Sequence, residues 1–345
     1  MTSTDSNLIV RPYVARDDAR LLALLRAVWA HKQDVETHLR RRWWWQWDPP
    51  PLLVVDDCEH DLLAGLCAYV PFALRTGGIE HRSAWFVDFY VRPEYQGRGL
   101  GQRLTQAVQD EHDITASLSQ TAMAYRVFQK LGWSTRSPVP LLVHPLPRSW
   151  MFRHQSRHDQ IATGAVDSAL PAWAGIDALW LRVRDRFPAI AVRDSAHLLA
   201  RYAKCDGREY TLLSASRGSA PVGYMIVRVV DSASNPARPP HGLIVDYLVD
   251  PDDADSFGAL LAEAGSALVG RGVNRIYALS TLPACQRVLR RRGFVSPSTP
   301  LLGRWVQGNT KWLTCKGLGE DSSAVASAWH LTLGDCDLDY AWSAG

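Results

Sequence analysis

The sequence has 345 residues, 47% of them hydrophobic, and a formal net charge of +3 at pH 7. This length and composition allow two domains with a core each, and they exclude a disordered or fibrous chain. Basic and acidic residues are intermixed, so charge gives no basis for a nucleic-acid partner.

No targeting segment, membrane span, metal site or disulfide framework is predicted. Residues 1–7 are polar, and no stretch has the roughly 20 apolar residues that cross a bilayer. The six cysteines are scattered and form no C-x-x-C pair, which favours reduced and mostly buried thiols. We therefore expect a soluble, cytoplasmic protein with no membrane partner and no metal.

The first unusual feature in chain order is the tryptophan-rich run over residues 43–47, which is followed by Asp48 and three prolines. Aromatic faces stack on sugars and hold cations, so the run is a candidate acceptor-binding surface. Aromatic side chains that fill an interface between two domains are an equally good interpretation.

The next predicted elements are a strand, a glycine-rich turn, a helix, a second strand and a second helix. Residues 84–92 are rich in aromatic and β-branched side chains and end at Pro93, which cannot continue a ladder. Residues 114–118 suit a short strand, and residues 121–131 suit a helix closed by Gly132. An apolar stripe with helical spacing lies between the strands and consists of Leu100, Leu104, Ala107 and Val108.

The glycine-rich turn reads Gln96-Gly97-Arg98-Gly99-Leu100-Gly101. Because three of its residues have no side chain, several backbone N–H groups can converge on one anion where the helix begins. The helix dipole favours a phosphate there, and Arg98 or Arg103 can add charge-assisted hydrogen bonds at the rim. An unoccupied turn is the alternative interpretation.

Two other phosphate-binding loops do not fit this spacing. The dinucleotide pattern G-x-G-x-x-G fails because Gln102 and Leu104 occupy the places where its third glycine would fall. The P-loop pattern fails because no Gly-Lys-Ser/Thr follows.

The remaining pattern, a strand with V-x-P and then Q-x-x-G-x-G opening a helix, resembles the coenzyme A diphosphate loop of the GNAT acyltransferase superfamily. Residues 128–133, Phe-Gln-Lys-Leu-Gly-Trp, resemble the closing helix of that superfamily and its Gly-aromatic step. The resemblance covers residues 8–145.

This resemblance implies a twisted mixed sheet that splays between its fourth and fifth strands. The pantetheine arm would bond to backbone groups near Phe89 and Val91, with the diphosphate over the glycine turn. The implied cosubstrate is acetyl-CoA or another acyl-CoA. The implied coenzyme A-binding residues are Phe89, Val91, Gln96, Gly97, Arg98, Gly99, Leu100, Gly101, Arg103 and Phe128.

The second half of the chain echoes the first. Residues 86–93 are matched by residues 244–251 at an offset of 158, and residues 126–133 are matched by residues 287–294 at an offset of 161. A weaker match pairs His38-Leu39 with His197-Leu198. Repetition on this scale predicts two related domains.

The glycine turn is missing from the second copy. Asp255 would repel a phosphate there, and Phe257 places a side chain where Gly99 has none. We expect this copy to bind no coenzyme A and to complete the substrate cleft or stabilise the first domain. At the matching offset, Gln96, Gly97, Arg98, Gly99 and Gly101 are replaced by Ala254, Asp255, Ser256, Phe257 and Ala259.

The predicted fold class is α/β (mixed α+β), with two GNAT-like domains that are each a twisted mixed β-sheet flanked by helices. The predicted boundaries are 1–145 for the domain with the acyl-CoA-binding loop, 146–171 for a linker, 172–315 for the degenerate domain and 316–345 for an extension. One large irregular domain is the alternative. The spaced aspartates at 335, 337 and 339 lack the glycine and glutamate of a calcium loop, and they predict a solvated acidic turn.

Acyl transfer to an amine needs a base for the ammonium group and a proton for the departing thiolate. Asp88 is a candidate base, directly or through water. A structural role is as strongly indicated, because Asp246 occupies the same place in the copy without the turn. The GNAT acid is a Tyr where this chain has Phe128, which cannot donate a proton. Tyr125 is a candidate acid or a packed core residue, and solvent is the third candidate donor.

These features predict an N-acyltransferase that transfers an acetyl or short acyl group from acyl-CoA to an amine of a small molecule, sugar or peptide. A non-catalytic acyl-CoA sensor or scaffold is one alternative, motivated by Phe128 and by the degenerate second copy. Another acyl-CoA reaction on the same fold, decarboxylation or aminoacyl transfer, is the other.

Overall fold

The structure is a computed structural model that divides into two compact units. Unit 1 comprises the described residues within Met1–Ala73, His81–Ser137 and Trp312–Ser323, and unit 2 comprises those within Leu74–Glu80, Pro138–Lys311 and Ala324–Gly345. The described residues are 7–32, 34–118, 120–133, 135–145, 161–166, 175–203, 208–231, 240–296, 311–319 and 322–341.

Strands and helices alternate along both units, which confirms the predicted mixed α/β class. The strands are β1 (Leu8–Pro12), β2 (Leu52–Asp57), β3 (Leu62–Thr76), β4 (Ile79–Val91), β5 (Ile114–Leu118), β6 (Thr135–Val139), β7 (Leu141–His144), β8 (Ile161–Val166), β9 (Ala189–Ala191), β10 (Tyr210–Arg217), β11 (Ala220–Val230), β12 (His241–Val249), β13 (Ile276–Leu279), β14 (Lys311–Lys316) and β15 (Trp329–His330). The α-helices are α1 (Asp18–Val28), α2 (Val35–Arg40), α3 (Leu100–Glu111), α4 (Ala122–Lys130), α5 (Ile176–Val183), α6 (Ser195–Leu198), α7 (Ala254–Gly270), α8 (Pro283–Arg291), α9 (Ser322–Ser327) and α10 (Leu338–Ala341).

The sheet of unit 1 has the strand order β1-β2-β3-β4-β5-β14-β6, and β9 pairs with the end of β3 and with β15 off this path. Strands β1 to β3 pair antiparallel, whereas β4 and β5 are parallel. The parallel pairing runs only from Ser83↔Ile114 to Phe86↔Ser117, while β4 continues to Val91. The expected separation of the fourth and fifth strands is therefore present, and it opens beside the last residues of β4.

Helices α3 and α4 cover this sheet through an aromatic and aliphatic core. The predicted stripe of α3 is largely buried, with Leu100, Leu104 and Val108 each 1% exposed or less. Phe128 of α4 stacks on Trp133 with ring centroids 4.2 Å apart and planes 12° from parallel. Burial of these side chains holds the start of α3 against the end of β4.

The sheet of unit 2 has the strand order β7-β13-β12-β11-β10-β8. Strand β7 pairs with β13 in unit 2, and β14 pairs with β5 in unit 1, so each half of the chain contributes a strand to the other sheet. The predicted boundaries at 145 and 315 place β7 and β14 with the other half. The predicted linker also differs, because β8 lies within it and pairs with β10. Linker residues 146–160 and 167–171 lie outside the described residues.

The two sheets share geometry at the offsets found in the sequence. Ala84↔Thr115 in unit 1 corresponds to Gly242↔Ile276 in unit 2, and both pairs belong to parallel ladders. The second helix that follows each ladder also ends with the same backbone hydrogen bond. Trp133 N donates to Phe128 O, and its counterpart Phe294 N donates to Leu289 O, each at 3.0 Å. These matched contacts support the predicted repeat.

The carboxy-terminal segment, residues 329–340, is packed inside unit 2, so the predicted solvated acidic turn is wrong. Asp335 and Asp339 are 7% and 0% exposed. Arg193 Nη2 donates to Asp335 Oδ2 at 2.6 Å, and Arg201 Nη2 donates to Asp339 Oδ1 at 2.5 Å. Sequence alone suggested solvent because the buried arginine partners lie more than a hundred residues away.

Candidate active site

The predicted glycine turn, residues 96–101, connects β4 to α3. A 3-10 turn over Pro93–Tyr95 follows β4, and Gln96 Nε2 donates back to the Val91 carbonyl at 3.0 Å. Gly97 and Gly99 have φ angles of 82° and 75°. This left-handed region is costly for residues with a Cβ, so the turn itself requires both glycines.

Gly101 is needed for close packing. A Cβ at this position would lie 3.2 Å from Phe89 Cζ and 3.4 Å from Val127 Cγ2. The missing side chain therefore lets the first turn of α3 contact both the end of β4 and the middle of α4.

The amino end of α3 has no side-chain cap. Its N-cap residue is Gly99, and the first intrahelical bond runs from Arg103 N to Gly99 O at 3.0 Å. The backbone amides that precede Arg103 in the first turn have no intrahelical acceptor. Together with the positive end of the helix dipole, they provide the donors that a phosphate binds.

A cavity of about 600 Å³ lies at this helix end, within the range of small-ligand sites. It contains seven of the predicted coenzyme A-binding residues, namely Phe89, Val91, Gln96, Gly97, Gly99, Leu100 and Gly101. Its other lining residues come from β4, the turn, the start of α3 and the α4 side, and they are Tyr90, Tyr95, Gln102, Thr121, Met123, Ala124, Arg126, Val127 and Lys130.

The two arginines predicted at the rim make other contacts. The Arg98 guanidinium carbon lies 5.2 Å from the Tyr95 ring centroid, a cation–π arrangement at an exposed position. Arg103 Nη2 donates to the Leu8 carbonyl at 2.8 Å and so fastens α3 to β1. Neither residue lines the cavity.

Phe128 is a core residue and does not line the cavity. It is 1% exposed and packs against Phe86, Phe89 and Trp133. The position where the GNAT resemblance implies a proton-donating Tyr is therefore apolar and covered.

Asp88 accepts hydrogen bonds from Arg42, which directly precedes the tryptophan-rich run, and from Trp44 within the run. Arg42 donates to Asp88 Oδ1 at 2.6 Å and to Oδ2 at 2.7 Å, and Trp44 Nε1 donates to Oδ2 at 2.7 Å. The same run packs within unit 1, where Trp44 is fully buried and Trp45 contacts Tyr13 edge to face. These contacts give Asp88 an organising role in the local fold.

Tyr125 lies on the side of α4 that faces away from the cavity. At about 100° per residue, it is roughly 160° around the helix from Val127, which lines the cavity. Tyr125 is partly buried and is not a lining residue. Its predicted role as acid stays untested.

Tyr95 is a functional candidate that the sequence interpretation missed. It lines the cavity, and its hydroxyl donates to the buried carboxylate of Asp57 at 2.6 Å. This bond, with burial, raises the pKa of Tyr95 to about 12. Burial opposes ionisation of Asp57, but hydrogen bonds from Tyr95 and from His60 keep the pKa of Asp57 below its ordinary value. Only the tertiary structure reveals this contact across 38 residues.

The corresponding helix of unit 2 is capped by its own chain. Helix α7 begins at Ala254, and Asp253 accepts from Ser256 N at 3.0 Å and from Ser256 Oγ at 2.7 Å. Phe257 is fully buried, with its ring centroid 4.8 Å from that of Tyr247. A carboxylate thus occupies the helix end where α3 has free amides.

The carboxy-terminal segment lies along β12, at the places that match Val87 and Phe89. Gly334 N donates to Val245 O at 2.8 Å, and His330 Nε2 lies 3.0 Å from Tyr247 O. In unit 2, residues of the carboxy-terminal segment therefore contact the backbone carbonyls of Val245 and Tyr247.

In the part of the chain that the structure describes, no helix is both long and apolar enough to cross a membrane. Across the same described ranges, no group of three or more His, Cys, Asp or Glu side chains is arranged to hold a metal ion.

The family assignment rests on the domain that contains the cavity. The family model described as "Acetyltransferase (GNAT) family" matches residues 19–133. Residues 19–133 form a GNAT-family domain. The match ends at Trp133, so it includes β4, the glycine turn, α3 and α4 of this domain. No curated protein is significantly similar to this chain.

Solved structures show the same fold over most of the chain. A GCN5-related N-acetyltransferase from Anabaena variabilis covers 89% of this chain and 72% of its own, with a TM-score of 0.60 and 15% identity. Saccharomyces cerevisiae N-myristoyltransferase with bound myristoyl-CoA covers 90% and 83%, with a TM-score of 0.55 and 10% identity. A probable N-acyltransferase from Enterococcus faecalis covers 90% and 73%, with a TM-score of 0.59 and 12% identity. The similarity therefore extends beyond the GNAT domain into the second half.

Proposed function

We propose that this protein is an N-acyltransferase whose GNAT domain binds an acyl-CoA and transfers the acyl group to an amine. The observation that carries the proposal is the cavity at the uncapped end of α3, where Gly97 and Gly99 leave backbone donors open. A diphosphate bound there directs the pantetheine arm along β4 from Val91 toward Phe89. The thioester then lies where β4 and β5 have separated.

Unit 2 serves as an internal comparison for this proposal. It has the same parallel ladder, but Asp253 caps its helix and Phe257 fills the position of Gly99. The coenzyme A site is therefore expected in unit 1 alone, and unit 2 is inferred to be a degenerate GNAT-like copy. Its role is to stabilise the protein or to contribute to acceptor binding.

The proposed chemistry needs a neutral amine and a proton for the thiolate. Asp88 remains the candidate base through water, although its ion pair with Arg42 favours a structural role. Phe128 is apolar and Tyr125 faces away from the cavity, so solvent is the favoured proton source for the thiolate. Acetyl-CoA or another short acyl-CoA is the proposed donor, and the acceptor is an amine of a small molecule, sugar or peptide.

The first test is coenzyme A binding by isothermal titration with the wild type and with Gly99→Glu. A carboxylate at the helix end should repel the diphosphate and weaken binding by about 100-fold. Gly78→Glu is the matched control, because Gly78 also has a positive φ, 80°, and open space around it. Equal affinities in the wild type and Gly99→Glu would contradict the site.

A non-catalytic acyl-CoA sensor is the second candidate, and it is favoured by the apolar core position of Phe128. Release of free thiol from acetyl-CoA in the presence of a library of amines separates the two. An enzyme releases thiol only when a suitable amine is added, and the release is lost in Gly99→Glu. A sensor binds coenzyme A with the same dependence on Gly99 but releases no thiol with any amine.

A further inference from the structure

Two cations stand beside the proposed diphosphate site. Helix α4 crosses the first turn of α3 where Val127 meets Gly101. Arg126 precedes this contact by one residue, and Lys130 follows it by one turn, so both lie next to the amino end of α3. Both line the cavity and are exposed.

The charge in the cavity has one sign. Among the described lining residues, the only charged side chains are Arg126 and Lys130, and no carboxylate is present. Neither cation forms an ion pair with a described residue, in contrast to Arg11, Arg42 and Arg75 of the same chain. A cavity with this composition favours an anionic ligand, and it places two side-chain cations on α4 in addition to the open amides of α3.

Coenzyme A has a second anionic group, the phosphate on its ribose 3′-oxygen. In the proposed function the amides at the start of α3 bind the diphosphate, so the 3′-phosphate needs donors from another element. We propose that Arg126 and Lys130 bind this 3′-phosphate and select free coenzyme A thioesters over pantetheine carried without it, as on a carrier protein. This assignment rests on the proposed function and specifies its donor class.

The competing explanation is that Arg126 and Lys130 stabilise helix α4 and bind no ligand. A cation in the last turn of a helix, as Lys130 is in α4, interacts favourably with the helix dipole. Unit 2 carries Arg287 and Arg291 at the matching positions of α8. Under that explanation, removing the charges lowers the unfolding temperature and leaves ligand preference unchanged.

The experiment compares the affinities of coenzyme A, 3′-dephospho-coenzyme A and 4′-phosphopantetheine by isothermal titration at one salt concentration. The variants are the wild type and the double variant Arg126→Gln/Lys130→Gln. The control is Arg16→Gln/Arg26→Gln, which removes two exposed charges of unit 1 outside the cavity. Unfolding temperature is measured for all three proteins.

We expect the wild type and the control to bind coenzyme A about tenfold more tightly than the dephospho form. The Arg126→Gln/Lys130→Gln protein should lose that preference and keep its affinity for the dephospho form within about twofold. An unchanged preference would overturn the assignment, and so would an equal loss for both ligands, which would place the cations on the diphosphate. Failure of the wild type to bind any of the three ligands would instead sink the proposed function.

Discussion

At the scale of single residues, the site depends on side chains that hold one another in place. Asp88 accepts hydrogen bonds from Arg42 and from Trp44. In unit 2 the equivalent Asp246 accepts from Tyr202 and from Arg193. A buried carboxylate with such partners in the unit that lacks the glycine turn favours a structural role for Asp88 as well.

Replacing Asp88 by Asn should therefore affect stability more than chemistry. Loss of the ion pair leaves the Arg42 guanidinium, 12% exposed, without its carboxylate. We expect the free energy of unfolding to fall by about 2 kcal/mol and the rate of thiol release to fall by less than about tenfold. Urea unfolding and steady-state kinetics measure the two effects. A 100-fold loss of rate at unchanged stability would identify Asp88 as the base.

Tyr95→Phe tests whether the hydrogen bond from Tyr95 to Asp57 stabilises the glycine turn. The change removes the donor to Asp57 and should cost about 1–2 kcal/mol at pH 7 and weaken coenzyme A binding several-fold. The pKa of Asp57 is lower in the folded protein than in the unfolded chain. Its stabilisation is thus present above the unfolded pKa, near 4, and is lost as the pH falls through the folded value.

Urea unfolding of both proteins between pH 7 and pH 2 measures this dependence. The stability difference between the wild type and Tyr95→Phe should shrink as Asp57 becomes protonated. A difference that stays constant with pH would show that the hydroxyl does not act through the Asp57 carboxylate.

At the scale of elements, the sequence predicted the individual helices and strands better than it predicted which strands pair. Residue type, periodicity and glycine positions located α3, β5 and α4 closely, because these signals act within one element, whereas the predicted start of β4 at residue 84 is five residues after the observed start at Ile79. The sequence also placed Tyr125 and Phe128 on α4, but it could not show which side of that helix faces a ligand. The positions of β7 and β14 were missed, since nothing local to a strand specifies a partner far along the chain.

Strand β14 offers a matched pair of glycine variants. Gly317 follows β14 with a φ of 98°, and a Cβ there would overlap the Asp113 carbonyl oxygen. Gly319 has a φ of 79°, and its Cβ would meet nothing within 4 Å. Gly317→Ala should destabilise the protein by more than about 3 kcal/mol, and Gly319→Ala by about 1 kcal/mol, which is the backbone cost alone. Equal urea midpoints for the two variants would show that β14 does not pack on β5 in this way.

At the scale of the whole molecule, matched ladder contacts support the predicted repeat, and β7 and β14 each pair with a strand from the other half of the chain. The registers of the two parallel ladders coincide at the offsets of the repeat. The carboxy-terminal segment occupies β12 in unit 2, whereas the corresponding part of unit 1 opens into the cavity. At these matched positions unit 2 is covered by its own chain, whereas unit 1 is open. Glycine content indicated which copy is open, but only tertiary contacts show what closes the other.

The strand exchange predicts that residues 1–145 will not behave as an independent domain. Without β14, the Ile114–Leu118 strand loses its antiparallel partner in the sheet, and the apolar β7 loses its place beside β13. A fragment of residues 1–145 should unfold without a cooperative transition and bind coenzyme A at least about tenfold more weakly than the full chain. A second fragment, in which residues 311–319 are joined to residues 1–137 through a glycine-serine linker, restores β14 and omits β7, so it should recover most of the affinity. Circular dichroism measures the folding of the two fragments, and isothermal titration measures their affinity for coenzyme A. Full-strength binding by residues 1–145 alone would show that unit 1 does not depend on the exchanged strand.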